Sequence, residues 1–209
     1  MTHPARNNAE WCDLVCRTHG IRGAFDARAW TSPRRTPLYY PDAVTLSRDA
    51  TAADVLDGID GGPGASVKDS FATLDLPGFE ILFEAQWIER DAPEAGDDAA
   101  DWRLVETAEE LREWERDLFS GDDDGVFGPG ILAEPVEILR GEGGGAVLNR
   151  TGDVVGVSNV FGLDPWPGVL AMAARLHPGL RLVGYETDPE QAVRHGFTET
   201  GPLRIWLRT

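Results

Sequence analysis

The chain has 209 residues, 42% hydrophobic and 26% charged, with a formal net charge of -17. That composition suits a folded protein with a substantial core, arranged as one large domain or two small ones. The acidity argues against general nucleic-acid binding, which needs a basic footprint.

No apolar run reaches the ~18–20 residues of a membrane span, and MTHPARNNAEW lacks the apolar centre of a secretory signal. No membrane association and a cytoplasmic location are the expectations. Residues 89–124 hold fifteen acidic and four basic residues, whereas 126–209 hold nine and seven. The first stretch reads as a solvated surface, and the second can still accept an anionic ligand.

Residues 9–18 place Trp11, Leu14, Val15 and Thr18 at helical spacing, with Gly20 as the stop. Cys12 and Cys16 share a face of that helix. No second ligand pair accompanies them, so they read as buried thiols and no metal is expected. Residues 21–42 are broken by Pro33, Pro37 and Pro41 and read as an irregular segment, with Trp30, Tyr39 and Tyr40 either anchoring it or lining a pocket.

A short strand at 43–46 and a helix at 52–59 with Thr51 as N-cap follow. The run Gly61-Gly62-Pro63-Gly64 ends the helix, and 66–71 is a strand. Residues 79–89 form the strongest strand of the first half. Ile81, Phe83, Ala85 and Trp87 fall on one face and Leu82 and Ile88 on the other, as in a central strand covered on both sides. The acidic Ala/Pro/Gly run 91–101 reads as a linker, which divides the chain into halves 1–98 and 99–209.

After a strand at 102–105, Thr107 and Glu110 make a capping box for a helix to about 119, buried through Leu111, Trp114 and Leu118. The acidic loop 120–125 lacks the alternating ligands of a calcium loop. A short helix and strand occupy 131–139. A hairpin follows, 146–149 with 154–161, turning at Gly152. Then come a helix at 166–176, a strand at 180–185, a short helix at 189–195 stopped by Gly196, and a strand at 203–207. The fold class is α+β, a mixed and mainly antiparallel sheet flanked by helices.

From residue 102 onward this order resembles the GNAT superfamily of acetyltransferases. The resemblance rests on the strand and long helix at 102–119, the hairpin 146–161, Leu182-Val183-Gly184-Tyr185-Glu186, and Gly196-Phe197 before Gly201-Pro202-Leu203-Arg204-Ile205-Trp206. It implies an acyl-CoA cofactor held near Val160, Phe161, Gly162 and Gly168, where family members carry a glycine-rich turn whose amides cradle the pyrophosphate. Here that turn reads Gly162-Leu163-Asp164-Pro165-Trp166-Pro167-Gly168. Two prolines remove amides, Asp164 adds negative charge, and the usual basic residue is missing.

The resemblance implies catalytic roles for Tyr185, Glu186 and Asn159, a carboxylate or water taking the amine proton and a tyrosine protonating the thiolate. The plainer reading makes Tyr185 a core residue, Glu186 an ion pair or cap, and Asn159 a loop tie paired with Asn149 across the hairpin. In the first half, Lys68, Asp69, Glu84, Trp87 and Tyr40 are candidates for substrate binding, with Lys68 and Glu84 meeting across paired strands. The expected function is an atypical N-acyltransferase acting on an amine of a small molecule. The alternative is an inactive GNAT-fold binding or interaction protein.

Both halves end in strand, short connection, Gly-Phe, strand: 67–71 to Gly78-Phe79 and 80–88, and 182–186 to Gly196-Phe197 and 203–207. This echo suggests a truncated GNAT-like copy before a fuller one. Their final strands can meet in one sheet, within a chain or across a homodimer.

Overall fold

A computed structural model describes residues 4–94, 101–121 and 125–209. Most of the acidic linker, at 95–100, and the tip of the acidic loop, at 122–124, lie outside the described residues. The helices are α1 (Pro4–Thr18), α2 (Ala52–Leu56), α3 (Ala108–Leu118), α4 (Trp166–Leu176) and α5 (Glu190–Arg194). The strands of the first half are β1 (Ala24–Phe25), β2 (Ala29–Thr31), β3 (Ala43–Thr45), β4 (Ser66–Asp69) and β5 (Glu80–Arg90). Those of the second are β6 (Arg103–Leu104), β7 (Val136–Gly141), β8 (Gly144–Thr151), β9 (Val154–Gly162), β10 (Arg181–Glu186) and β11 (Thr198–Leu207).

Local chemistry sets the helix starts. Thr51 with Asp54 and Thr107 with Glu110 both close capping boxes, each satisfying two backbone donors at a helix start. Gly20 and Gly196 follow α1 and α5 with positive φ, where a glycine costs least. The region expected to be irregular contains β1 and β2. Asp42 orders the loop that follows them. Its buried carboxylate accepts from Thr36 N (3.0 Å) and Ser66 N (2.9 Å) and pairs with Arg35 at 2.5 Å. β1 and β2 themselves ladder antiparallel, β1 onto β2 and β2 onto β3, and they are too short for alternation to reveal them.

All strands join one sheet in the order β1-β2-β3-β4-β11-β5-β10-β9-β8-β7-β6. β5 lies between β11 and β10, and β11 between β4 and β5, so each half's last strand is inserted beside the other half. β5 and β11 pair antiparallel from Glu89↔Thr198 to Glu80↔Leu207. About this pair the topology is roughly two-fold. β4 mirrors β10, and β3, parallel to β4, mirrors β9, parallel to β10. β2 and β8 then follow as antiparallel neighbours, and α2 and α4 are the two crossovers.

The cores follow the exchange. Phe79 packs with Val55, Val67 and Trp206, the last from β11. Phe197 packs with Trp166, Leu182 and Ile88, the last from β5. Alternation in β7 and β8 separates the faces of the second half. Ile138 and Val147 join Trp114 of α3 and Trp11 of α1, whereas Leu139, Ala146 and Leu148 join α4. Helix α1 thus lies over the second half. Asn7 Nδ2 donates to Asn149 O at 3.0 Å, and a Cβ on Gly156 would meet Asn7 Oδ1 at 2.0 Å. Among the described residues no helix is long and apolar enough to cross a membrane.

Because Trp206 completes the first half and Ile88 the second, Trp206→Ala or Ile88→Ala should lower the stability of the whole chain by about 2–5 kcal/mol. Thermal unfolding should remain one transition in both variants. Two separated transitions, or a 99–209 fragment that unfolds cooperatively alone, would contradict the interlocked core.

Candidate functional site

The strands β9 and β10 pair in parallel only as far as Gly156↔Val183. Beyond that point they splay, while Tyr185 and Glu186 stay paired with Trp87 and Gln86 of β5. At the splay β9 carries a bulge. Ser158 pairs with Val147 and Phe161 with Gly145, so Asn159 and Val160 together oppose Ala146. Asn159 has φ +53°, in the left-handed region. The bulge breaks the alternation, so Ser158, Asn159 and Val160 all line one cavity, not the two faces that simple periodicity assigns.

That cavity, of about 230 Å³, lies between the splay, α1 and the Tyr39–Pro41 loop. Lys68, Tyr40, Tyr185, Glu186 and Cys12 complete its walls. Lys68, the chain's single lysine, is 3% exposed. Its Nζ donates to Asn8 Oδ1 at 2.7 Å and lies 4.1 Å from the centre of the Tyr185 ring. Among the described residues no carboxylate comes within ion-pair distance of it. A desolvated cation–π contact contributes about 2 kcal/mol, well below the cost of leaving an ammonium buried without an anion.

Two hydroxyls share this lack of partners. Tyr40 Oη and Ser158 Oγ are buried with no hydrogen bond of normal geometry. Asn159 and Trp11 are the polar neighbours of Tyr40, whose burial raises its pKa well above the ordinary tyrosine value. Burial also pushes the Cys12 thiol up to about 11 and Cys16 to about 12, which leaves both as inert thiols. Glu186 is raised to about 7, first by burial and then by the neighbouring charge of Asp188. A carboxyl poised there can hold or release a proton at neutral pH.

The structure brings together Tyr40, Lys68, Asn159, Val160, Tyr185 and Glu186 and sets the other candidates apart. Asp69 is fully buried and caps the following turn by accepting from Leu74 N at 2.8 Å. Trp87 donates to Ser70 O at 2.7 Å and backs the Tyr185 ring edge-on at 5.7 Å. The expected meeting of Lys68 with Glu84 does not occur. β11 runs between their strands, and Glu84 pairs with Arg204 at 2.8 Å on an exposed face. Asn149 likewise bonds to Asn7 of α1 and not to Asn159. Sequence reasoning missed Asn8, Ser158 and Cys12 as pocket residues. The helical face that carries Cys12 was legible, but the fact that α1 crosses to the second half was not.

The turn before α4 does not fit a pyrophosphate. Pro165 and Pro167 lack amides at the helix start. Asp164 Oδ1 lies 3.0 Å from His195 Nε2, and Gln191 Nε2 donates to Leu163 O at 2.8 Å, so α5 is tied across the loop. A Cβ on Gly168 would fall 1.9 Å from Trp102 Nε1, and one on Gly162 would fall 2.5 Å from Gly143 O. Both glycines therefore serve close packing within the protein. Phe161 packs edge-on against Trp114 at 5.4 Å. Of the four residues expected to hold a cofactor, Val160 alone faces the cavity.

The raised Glu186 gives a signed expectation. The folded state binds its proton more tightly than the unfolded chain, so this group's contribution to stability falls as pH rises from about 4.5 to about 7 and is level above that. Glu186→Gln should remove that component. The melting temperature of the variant relative to wild type should rise between pH 5 and 8. A difference that stays constant across that range would contradict a buried, protonated Glu186.

Solved structures give the same arrangement. A GCN5-related N-acetyltransferase from Kribbella flavida superposes with a TM-score of 0.61 at 13% identity, covering 100% of this chain and 96% of that one. An acetyltransferase described as putative and of the GNAT family, from Novosphingobium aromaticivorans, gives 0.59 at 13% identity with both chains fully covered. A conserved protein of unknown function from Staphylococcus epidermidis gives 0.54 at 11% identity, covering 88% of this chain and 92% of that one. No protein-family model matches the sequence, and no curated protein matches it. At these identities the likeness concerns the fold: the chain has a GNAT-like fold in an atypical form.

Proposed function

We propose that this is a small-molecule-binding protein on a GNAT-like fold, with its ligand in the cavity at the seam of the two halves. One observation carries the reading: a buried cation and two buried hydroxyls that make no hydrogen bond of normal geometry surround a cavity of about 230 Å³. Buried polar groups are nearly always satisfied, and a ligand or water in the cavity would satisfy these. The turn before α4 supports a mode of binding without acyl-CoA in its usual place. We further propose that 1–98 and 99–209 are two related units, the first a reduced copy of the second, since the two-fold order of strands relates Phe79 to Phe197.

A second reading, atypical N-acyl transfer to an amine, is favoured by Glu186. Its carboxyl, raised to about 7 beside Tyr185, matches a general base for an ammonium group entering the cavity. Calorimetry with acetyl-CoA separates the two readings. The binding proposal expects no heat and no thermal shift at millimolar ligand. Saturable binding, together with amine acetylation that Glu186→Gln slows by ~10²–10⁴-fold, would replace it with the enzyme reading.

A further inference from the structure

The polar cavity does not end at Lys68. On the other side of the Lys68 and Tyr185 side chains an open groove of about 590 Å³ continues from it, sharing Tyr39, Tyr40, Pro41, Lys68 and Tyr185 as walls. Its remaining lining is mostly apolar, with Leu38, Leu82, Phe83, Ile205 and Leu207. Leu82, Leu38 and Tyr39 are 56%, 58% and 61% exposed. Large exposed apolar groups lining one groove beside a buried cation are uncommon on a protein surface and mark a binding groove.

The two compartments ask for different chemistry. In the first, Lys68 Nζ has Asn8 and an aromatic face but no anion within ion-pair distance among the described residues, and Tyr40 Oη and Ser158 Oγ make no hydrogen bond of normal geometry. A carboxylate supplies what all three lack, because its oxygens accept several hydrogen bonds and carry the missing negative charge. In the second, no charged group other than Lys68 and Arg35 lines the groove. Arg35 is engaged by Asp42 at 2.5 Å and by Asp60 O at 3.1 Å. Lys68 stands at the junction, so one molecule can place its head on the lysine and its tail along the leucines.

We infer that the ligand is an amphipathic monocarboxylate, its carboxylate held by Lys68, Tyr40 and Ser158 and its alkyl or aryl tail laid along Leu38, Leu82, Phe83 and Leu207. This inference rests on the seam cavity being a ligand site. It adds the sign of the head, the presence of a tail and the direction in which the tail leaves. Glu186 fits the same picture as the far wall, a carboxyl that can stay protonated beside a bound anion.

The test is a calorimetric panel on the full chain at pH 6, using octanoate, hexanoate, acetate, octan-1-ol and octylamine. Octanoate should bind best. Removing methylenes should weaken binding about two- to fourfold for each one lost, as for a partly buried chain. The alcohol and amine should bind at least about tenfold more weakly than octanoate, since neither brings a charge that Lys68 can use. Lys68→Met keeps the side-chain volume and removes a buried charge, a change usually tolerated by a fold. It should abolish the preference for octanoate over octan-1-ol. Leu82→Asp, at an exposed position, should flatten the chain-length series while acetate is unaffected.

Equal binding of the alcohol or the amine, unchanged by Lys68→Met, would overturn the carboxylate assignment while leaving the seam as a ligand site. Binding of acetate as tight as octanoate would overturn the tail. Absence of heat from every member of the panel would overturn the inference. In that case saturable heat from a library of polar metabolites, lost in Tyr185→Ala, would show that the seam still binds ligand, and its absence would remove the seam proposal as well.

Discussion

β5 and β11 lie side by side in the middle of the sheet, and each is buried against the half that the other belongs to. The rest of the structure depends on this exchange. Without Ile88 the second half has a gap beside Phe197, and without Trp206 the first has one beside Phe79. Large gaps of this kind cost several kcal/mol, a sizeable share of a domain's net stability. The exchange also creates the pocket. Ile205 and Trp87 are each the eighth residue after the phenylalanine of a Gly-Phe pair, and they pair with Lys68 and Tyr185 respectively. Lys68 and Tyr185 thus occupy equivalent places about the two-fold arrangement, and their side chains meet over the exchanged strands.

The chemistry of the pocket follows from that meeting. A two-fold arrangement of identical residues would have brought two lysines or two tyrosines together. Here a cation sits on an aromatic face, and among the described residues no carboxylate lies within ion-pair distance of it. The splay of β9 from β10 opens the space, and the bulge at Asn159 turns three successive residues toward it. On the other face of the sheet, two prolines and the ties from Gln191 and His195 fill the turn before α4.

Much of this was legible in the residues. Alternation in β5 and the Gly-Phe pairs identified the central strands, and the Thr51 N-cap and the Thr107–Glu110 capping box located α2 and α3. The composition of the 162–168 turn marked its departure before any geometry was known. Tyr40, Lys68, Tyr185 and Glu186 were recognisable because each is a polar or aromatic group in an apolar strand or a proline-rich loop. What was not legible depends on strand order. Period-two reasoning gives the face of Lys68 and of Glu84, but not that β11 separates them. Nor does it show that α1 crosses onto the second half and delivers Asn8 and Cys12. The strands β1 and β2 were hidden because they are only two and three residues long, too short for alternation to show.

The central claim is that Lys68 is a ligand-binding group at the seam. The chain's single lysine makes this directly measurable. Protein made with ¹⁵Nζ-labelled lysine gives one side-chain resonance, which can be followed by NMR while octanoate is added. The account predicts that this resonance shifts with saturation, at the midpoint found by calorimetry. A ligand that binds by calorimetry and leaves the Lys68 resonance unmoved would contradict it.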